Sequence, residues 1–336
     1  MKVLILRFSS IGDIVLTTPV IRTLKTQLPD AEVHYATKTA YTSILSENPY
    51  VDKIHALGDS LNELISRLKK EKYDVVIDLH HNLRTLIIKT RLGVKSHSFD
   101  KLNWQKWLLT SFKINRLPNV HIVDRYMQTV APLGVQGDNL GLDYFIPEKD
   151  EMPIDWLPKS HQGGYAAFVI GAKFGTKQLP VNRMIELADR INKPVVLLGG
   201  KEDVHLAEEI ERFFHKSEAG SPFEKGLDEL GKRTLIFNAV GKCNLNQSAS
   251  LIRQANWVFT HDTGLMHIAS AFKKPIYSIW GNTVPLFGMY PYRTKFTIFE
   301  NNKLGCRPCS KIGYNQCPKG HFKCMNDLVF DFYLGE

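Results

Sequence analysis

Short apolar runs recur along the chain, separated by stretches with the three-to-four-residue spacing of amphipathic helices. Residues 3–8, 33–37, 54–57 and 75–79 read as strands, as do 165–170, 195–198, 235–238, 258–260 and 276–280. Helices are predicted over 14–28, 61–70, 184–191 and 246–255. Near-continuous apolar strands joined by helices mean parallel sheets covered on both faces. The series runs twice. Between the two sets lie Pro147, Pro153 and Pro158 in polar sequence, followed by Gly163 and Gly164, which reads as a linker and hinge. The expected architecture is α/β: two Rossmann-like, doubly wound parallel-sheet domains, 1–155 and 156–336, facing a cleft.

Composition narrows the class. With 336 residues and 43% hydrophobic positions, both halves can bury a core. The 43 basic residues exceed the 34 acidic ones, giving +9, which suits an anionic partner such as nucleotide phosphate or anionic lipid. Apolar runs are too short to span a bilayer, and Arg7 and Asp13 interrupt any signal-peptide core, so a cytoplasmic location is expected. Five cysteines are too few for a disulfide framework in a chain of this length.

In open parallel sheets, ligands bind beyond the carboxyl ends of the strands, so motifs just after strands carry the chemistry. The first is Arg7-Phe-Ser-Ser10-Ile-Gly12-Asp13, where Gly12 would permit a tight turn into the helix and Asp13 sits at its start. An N-cap is the plain structural role for such an aspartate. Pro19 requires the helix to kink or restart. No Gly-x-Gly-x-x-Gly follows, which counts against NAD or FAD. The second is Gly171-Ala172-Lys173-Phe-Gly-Thr-Lys177-Gln-Leu-Pro180, a small-residue loop whose amides and lysines suit phosphate; a solvated basic loop is the alternative. The third is His261-Asp262-Thr263-Gly264-Leu265-Met-His267, which opens a helix capped by Asp262 or Thr263 and favours an anion at its N-terminus.

In order and spacing these motifs, with Asp74–Arg84, Asn238–Gly241 and Gly281-Asn282-Thr283, resemble glycosyltransferase family 9, the ADP-heptose:lipopolysaccharide heptosyltransferases. The resemblance runs from about residue 1 to 285. It implies a GT-B fold, an ADP-linked sugar donor, inversion at the anomeric carbon and no required metal or other cofactor. The absence of any Asp-x-Asp agrees with metal-independent transfer. On this resemblance Asp13 is the catalytic base. Lys177 holds the donor diphosphate, with Ala172 and Lys173 in the same loop. Thr263, Gly264, Leu265 and His267 also bind the donor, the amides around Gly264 neutralising leaving-group charge. Asp262 accepts hydrogen bonds from the donor sugar. Ser10, Gly12, Asn82 and Arg84 lie on the acceptor side, where Arg84 would pair with an anionic group. Ala172 and Lys173 stand where transferases that add the first heptose carry hydroxyl residues, a departure that leaves the donor sugar open.

Two segments lie outside these motifs. Residues 101–116 mix Lys101, Lys106, Lys113 and Arg116 with Trp104, Trp107 and Phe112, a pattern suited to the membrane interface, and equally to an amphipathic helix packed on the first domain. The expected setting is therefore peripheral, at the inner membrane leaflet, with a glycolipid acceptor, a nucleotide-sugar donor and no nucleic acid. The tail offers Cys306, Cys309, Cys317 and Cys324, with His321 nearby: ligands for a structural zinc, or free thiols packed on the body. Two other functions compete with transfer. A nucleotide-sugar 2-epimerase would act on the donor alone, and a non-catalytic polyanion binder would need basic residues gathered on one face.

Overall fold

A computed structural model of the chain describes residues 1–216 and 234–335. The first sheet contains β1 (Lys2–Leu6), β2 (Glu32–Lys38), β3 (Lys53–Leu57), β4 (Val75–Asp78) and β5 (Lys95–Ser98). All pair in parallel in the order β3-β2-β1-β4-β5. The second contains β6 (Ala166–Val169), β7 (Val195–Leu198), β8 (Ile236–Asn238), β9 (Trp257–His261), β10 (Ile276–Trp280) and β11 (Phe296–Glu300). Its order is β11-β10-β9-β6-β7-β8, again parallel throughout. These are two doubly wound domains, as the alternating pattern predicted.

The apolar runs are explained by burial on both faces. Along β1, Val3 and Ile5 enter one core with Val20, Leu24 and Tyr126, while Leu4 and Leu6 enter another with Leu64, Leu68 and Ile88. Each such aliphatic side chain contributes about 1.5–3 kcal/mol when fully buried. In β6, Ala166 and Phe168 face one core and Ala167 and Val169 the other. The predicted first helix is in fact two, Ile11–Val15 and Thr18–Gln27, with Pro19 in the opening turn of the second, where its missing N–H costs nothing.

The predicted linker is fastened to both halves. Asp150 accepts from Asn244 and Asn246 at 2.9 and 3.0 Å, Glu151 pairs with Arg253 at 2.5 Å, and the Met152 amide donates to Ser250 at 2.9 Å. Residues 150–152 are thereby fastened to the helix Leu245–Gln254 of the second half. On the other side, Arg22 grips Asp138 at 2.7 Å, and also Asp143. Between these anchors Tyr144 also donates to Asn246 at 2.6 Å. The halves also touch directly. The helix Ile122–Met127 meets the loop before β11, where the Ile122 amide donates to the Gly288 carbonyl at 2.8 Å and Tyr292 donates to Asp124 at 2.8 Å.

Candidate active site

Strand order reverses between β1 and β4 in the first sheet and between β6 and β9 in the second. Loops leaving such a pair diverge and open a crevice. The loops after β1, β4, β6 and β9, which carry the three main motifs and Asp78–Arg84, fall there: Leu6 is level with Asp78 across β1 and β4, and Val169 with Thr260 across β6 and β9.

On the first side, Ser10 is the N-cap of the helix Ile11–Val15 and Asp13 lies in its first turn. Asp13 is thus not the cap but its partner: its carboxylate accepts from the Ser10 amide at 3.1 Å and hydroxyl at 2.8 Å. Its other oxygen pairs with Arg7 at 2.6 Å, and a fifth of the side chain remains in solvent. The guanidinium of Arg7 is buried and also donates to the Ser9 carbonyl at 2.8 Å, to Tyr126 at 3.1 Å and to the Leu79 carbonyl. Burial pushes the Asp13 carboxyl up, but the Arg7 charge and the Ser10 hydrogen bonds outweigh it, and it lies below the ordinary carboxylate range. Asp13 is therefore ionised at neutral pH.

The neighbouring loop is shaped by Asp78, which is buried, pairs with Lys89 at 2.8 Å and accepts from the amides of His80 and His81 at 3.1 and 2.7 Å. Asn82, expected on the acceptor side, spends its carbonyl as the N-cap of the helix Leu83–Leu92, accepting from the Thr85 amide at 3.1 Å. Arg84 lies 5.5 Å over the ring of Phe8. Burial, with the charges of Arg7 and Lys101 adding to it, lowers His80 to about 4, so it stays neutral between these cations.

On the second side, Lys177 pairs with the Asp262 carboxylate at 2.5 Å, and the same oxygen accepts from Thr283 at 2.9 Å. The two residues expected on different parts of the donor therefore hold each other here. Lys173 is exposed and lies 5.7 Å over Phe174, whereas Ala172 is half-buried. His261 is buried and accepts from the Leu179 amide at 3.0 Å, so it fixes the loop that carries Lys177. Thr263 is the N-cap of the helix Gly264–Ala271, but its side chain makes no capping bond. The first amides of that helix are left without a side-chain cap, as an anion site requires.

The two sides meet at glycines. A methyl group at Gly12 would lie 2.5 Å from the His267 ring and 3.3 Å from the Gly264 Cα; one at Gly264 would lie 2.8 Å from Ile11. The sequence argument gave Gly12 a turn, but it is required for close approach. The helix carrying these residues packs into both halves, Ile268 into the first core and Met266 and Ala269 into the second. The turn that leads into Asp13 thereby meets Gly264 and His267. His267 is buried and held neutral, to about 4, by burial.

A family model described as glycosyltransferase family 9 (heptosyltransferase) matches residues 61–319. The chain belongs to glycosyltransferase family 9. It is 26% identical to lipooligosaccharide heptosyltransferase 2 of Haemophilus influenzae, over 98% of this chain and 99% of that protein. Among solved structures, a family 9 glycosyltransferase from Veillonella parvula is similar with a TM-score of 0.68 and 22% identity, covering 88% of this chain and 85% of that one. The Escherichia coli ADP-heptose lipopolysaccharide heptosyltransferase II follows with a TM-score of 0.66 and 20% identity, over 97% and 98%. The family 9 transferase thus has the GT-B type of fold, two facing parallel-sheet domains, that the resemblance implied.

Cys306, Cys309, Cys317 and Cys324 are free thiols; among the described residues, three metal-type ligand atoms come within one metal's reach only at His34, His55 and Glu71. In the tail, Cys306 Sγ lies 3.9 Å from His321 Nε2, whose other nitrogen accepts from the Lys323 amide at 3.0 Å, and Cys309 donates to the Cys306 carbonyl at 3.2 Å. Cys324 is buried in the second core, and burial pushes its thiol up to about 12. The tail also fastens the loops after β6 and β10. Buried Arg307 donates to the carbonyls of Trp280 and Thr283 at 3.2 and 2.9 Å, and to that of Gly281. Thr176, beside Lys177, exchanges hydrogen bonds with the Tyr314 backbone at 2.8 and 2.9 Å. Arg7, Thr283 and Arg307 had been given no role from sequence. The first two stand inside the quoted motifs, and only their partners reveal what they do.

Proposed function

We propose that this family 9 transferase moves heptose, or a closely related sugar, from an ADP-sugar onto a lipopolysaccharide core or lipid A-linked acceptor, with inversion. The observation that carries the reading is the close contact of Ile11 and Gly12, which precede Asp13, with Gly264 and His267 of the uncapped helix, while Lys177 pairs with Asp262 two residues before that helix. The names of the similar transferases supply the donor and acceptor class.

The acceptor hydroxyl attacks the anomeric carbon while Asp13, already ionised, takes its proton. The carbon–oxygen bond to ADP breaks, and charge grows on the β-phosphate. Lys177 and the amides of Gly264 and Leu265 neutralise it, the task a bound metal performs in enzymes that carry Asp-x-Asp. Asp262, once Lys177 turns to phosphate, is free for the donor sugar's hydroxyls, with Thr283 keeping it in place. Ser10 holds Asp13, and Arg84 faces the acceptor. Ala172 and Lys173 border the donor loop. The donor-binding half comprises residues 156–336 and the acceptor half 1–155.

The acceptor's lipid end fits a peripheral site on the inner membrane leaflet. The helix Asn103–Phe112 leaves Trp104 63% and Phe112 58% exposed, with Trp107 and Ile114 beside them and Lys106 and Lys113 in the same segment. No helix among the described residues is long and apolar enough to cross a membrane. The matched relatives are transferases, which favours transfer over the epimerase reading, and the ordered strand-end motifs favour it over a simple polyanion binder.

The test is transfer itself. ADP-heptose and a heptose-deficient lipopolysaccharide core are incubated with the chain in excess EDTA, and products are read by mass spectrometry. The expected result is an acceptor one heptose heavier, at a rate EDTA does not change. Hydrolysis or epimerisation of the donor without acceptor modification would overturn the reading.

A further inference from the structure

Towards the amino ends of the first sheet's strands, away from the loops that bear Asp13 and Asp78, lies a second polar cluster. His34 on β2 and His55 on β3 are buried, and Glu71 follows the helix Leu61–Lys70. His34 Nδ1 and His55 Nε2 are 3.2 Å apart. Glu71 oxygens lie 3.9 Å from each of those same nitrogens. A tetrahedral zinc with bonds of about 2.0–2.1 Å sets its ligand atoms roughly 3.3–3.4 Å apart. Each nitrogen therefore has one carboxylate oxygen of Glu71 close to such an edge length, and one oxygen and the two nitrogens, from three separate elements, lie within 4.8 Å of one another.

A second feature points the same way. The other nitrogen of His34 lies 2.7 Å from Glu32. A carboxylate there accepts a hydrogen bond from Nε2–H, which leaves the Nδ1 lone pair turned inward, the arrangement that orients metal-bound histidines. Without a metal, the inward nitrogens share the hydroxyl of Tyr73, at 2.8 and 3.0 Å, and Glu71 is held by Lys53 at 2.5 Å and Lys2 at 3.2 Å. Lys53 is half exposed and has water to move into, and Lys2 keeps Glu32 at 3.1 Å.

We propose that His34, His55 and Glu71 form a zinc-binding site, with Glu32 as the outer carboxylate on His34 and the fourth position left to water. Two imidazoles and one carboxylate are a donor set zinc accepts. The ion would pin β2, β3 and the turn before β4 to one another. It would stabilise the acceptor-side domain without touching the transfer site.

The full chain, stripped with EDTA and desalted, is titrated with ZnCl2 by calorimetry, and with CoCl2 by absorption. One equivalent of zinc should bind and raise Tm by a few degrees. The cobalt complex should show ligand-field bands without sulfur-to-metal charge transfer. Glu71→Gln, at a partly exposed position, should weaken binding by about tenfold or more. His34→Gln should abolish it, and Cys306→Ser should leave it unchanged. Should His34→Gln not fold, Glu71→Gln decides alone. No zinc binding at micromolar concentrations, binding unmoved by Glu71→Gln, or a thiolate charge-transfer band removed by Cys306→Ser would each overturn the proposal.

Discussion

Replacing Gly12 by alanine adds one methyl group at the tightest point between the two halves. The new Cβ would lie 2.5 Å from the His267 ring carbon. Carbon atoms at rest sit about 3.5–4.0 Å apart. Roughly 1 Å of separation must therefore come from somewhere. His267 is buried and has no free volume to rotate into cheaply, so the two helix ends move apart instead. Overpacking of this kind costs about 1–3 kcal/mol. Catalysis suffers more than stability, because a 1 Å misplacement of reacting groups can cost about 10²-fold. The donor contacts assigned above lie within the second half, and they move with it. Gly12→Ala is therefore expected to lower kcat by about 10²-fold, leave the Kd for ADP near its original value, and lower Tm modestly. Gly58→Ala is the control, since nothing lies within 4 Å of its added methyl. Calorimetry with ADP, steady-state transfer and thermal melts give the three numbers. Unchanged turnover would refute the claim that chemistry needs this contact. A rise in the ADP Kd that matches the loss in kcat would move the damage into the donor pocket.

Asp13→Asn keeps the shape and the Ser10 contacts but loses the proton acceptor, so kcat should fall by ~10²–10⁴-fold with ADP binding little changed; wild-type turnover would remove Asp13 from the chemistry. Lys177→Ala should weaken ADP binding by roughly 10–150-fold, the equivalent of one charge-assisted hydrogen bond of about 1.5–3 kcal/mol, and a Kd within error of wild type would contradict it. Acid should destabilise the fold early. Burial lowers His261 and His267 to about 4 and His121 to about 3. Between the unfolded value near 6.5 and those values the unfolded chain binds more protons, so stability is full above pH 6.5 and falls as pH drops, by about 1.4 kcal/mol per unit for each group. Melts across pH 7 to 4.5 should show that loss, and a flat Tm over the window would refute it.

How far the sequence led depended on the kind of interaction. Burial on both faces leaves a continuous apolar run, so β1, β4, β6 and β9 were legible, and with them the crevices. The strand Lys95–Ser98 was not, because an exposed sheet edge needs no apolar residue and Lys-Ser-His-Ser carries none. Pro19 correctly signalled a restart. Gly12 was legible as necessary but not for the right reason, since a turn and a close approach both call for glycine and only the second half of the chain distinguishes them. The tail's structural part was not legible, because cysteine spacing reports which ligands are available and not which loops the segment fastens. Arg307, set between two of those cysteines, holds four carbonyls that no sequence spacing links to it.

The pairings at the site also bear on how the proposed reaction would be ordered. Both candidate carboxylates are matched to a cation in the free protein, Asp13 to Arg7 and Asp262 to Lys177. The two pairs differ in what a ligand can do to them. Arg7 is fixed by three further acceptors, so its charge stays beside Asp13 and keeps that carboxylate ionised whatever occupies the cleft. Among the described residues, Lys177 pairs with Asp262 alone, through its carboxylate and, at 3.4 Å, its carbonyl. A diphosphate can therefore draw Lys177 away at the cost of one partly exposed ion pair, and Thr283 stays behind to hold the freed carboxylate. Donor binding would thus create the acceptor for its own sugar hydroxyls. A nucleotide without the sugar would leave Asp262 with Thr283 alone. The intact nucleotide sugar should accordingly bind more tightly than ADP, and in Asp262→Asn, where no ion pair has to be broken and a weaker acceptor remains, that advantage should shrink.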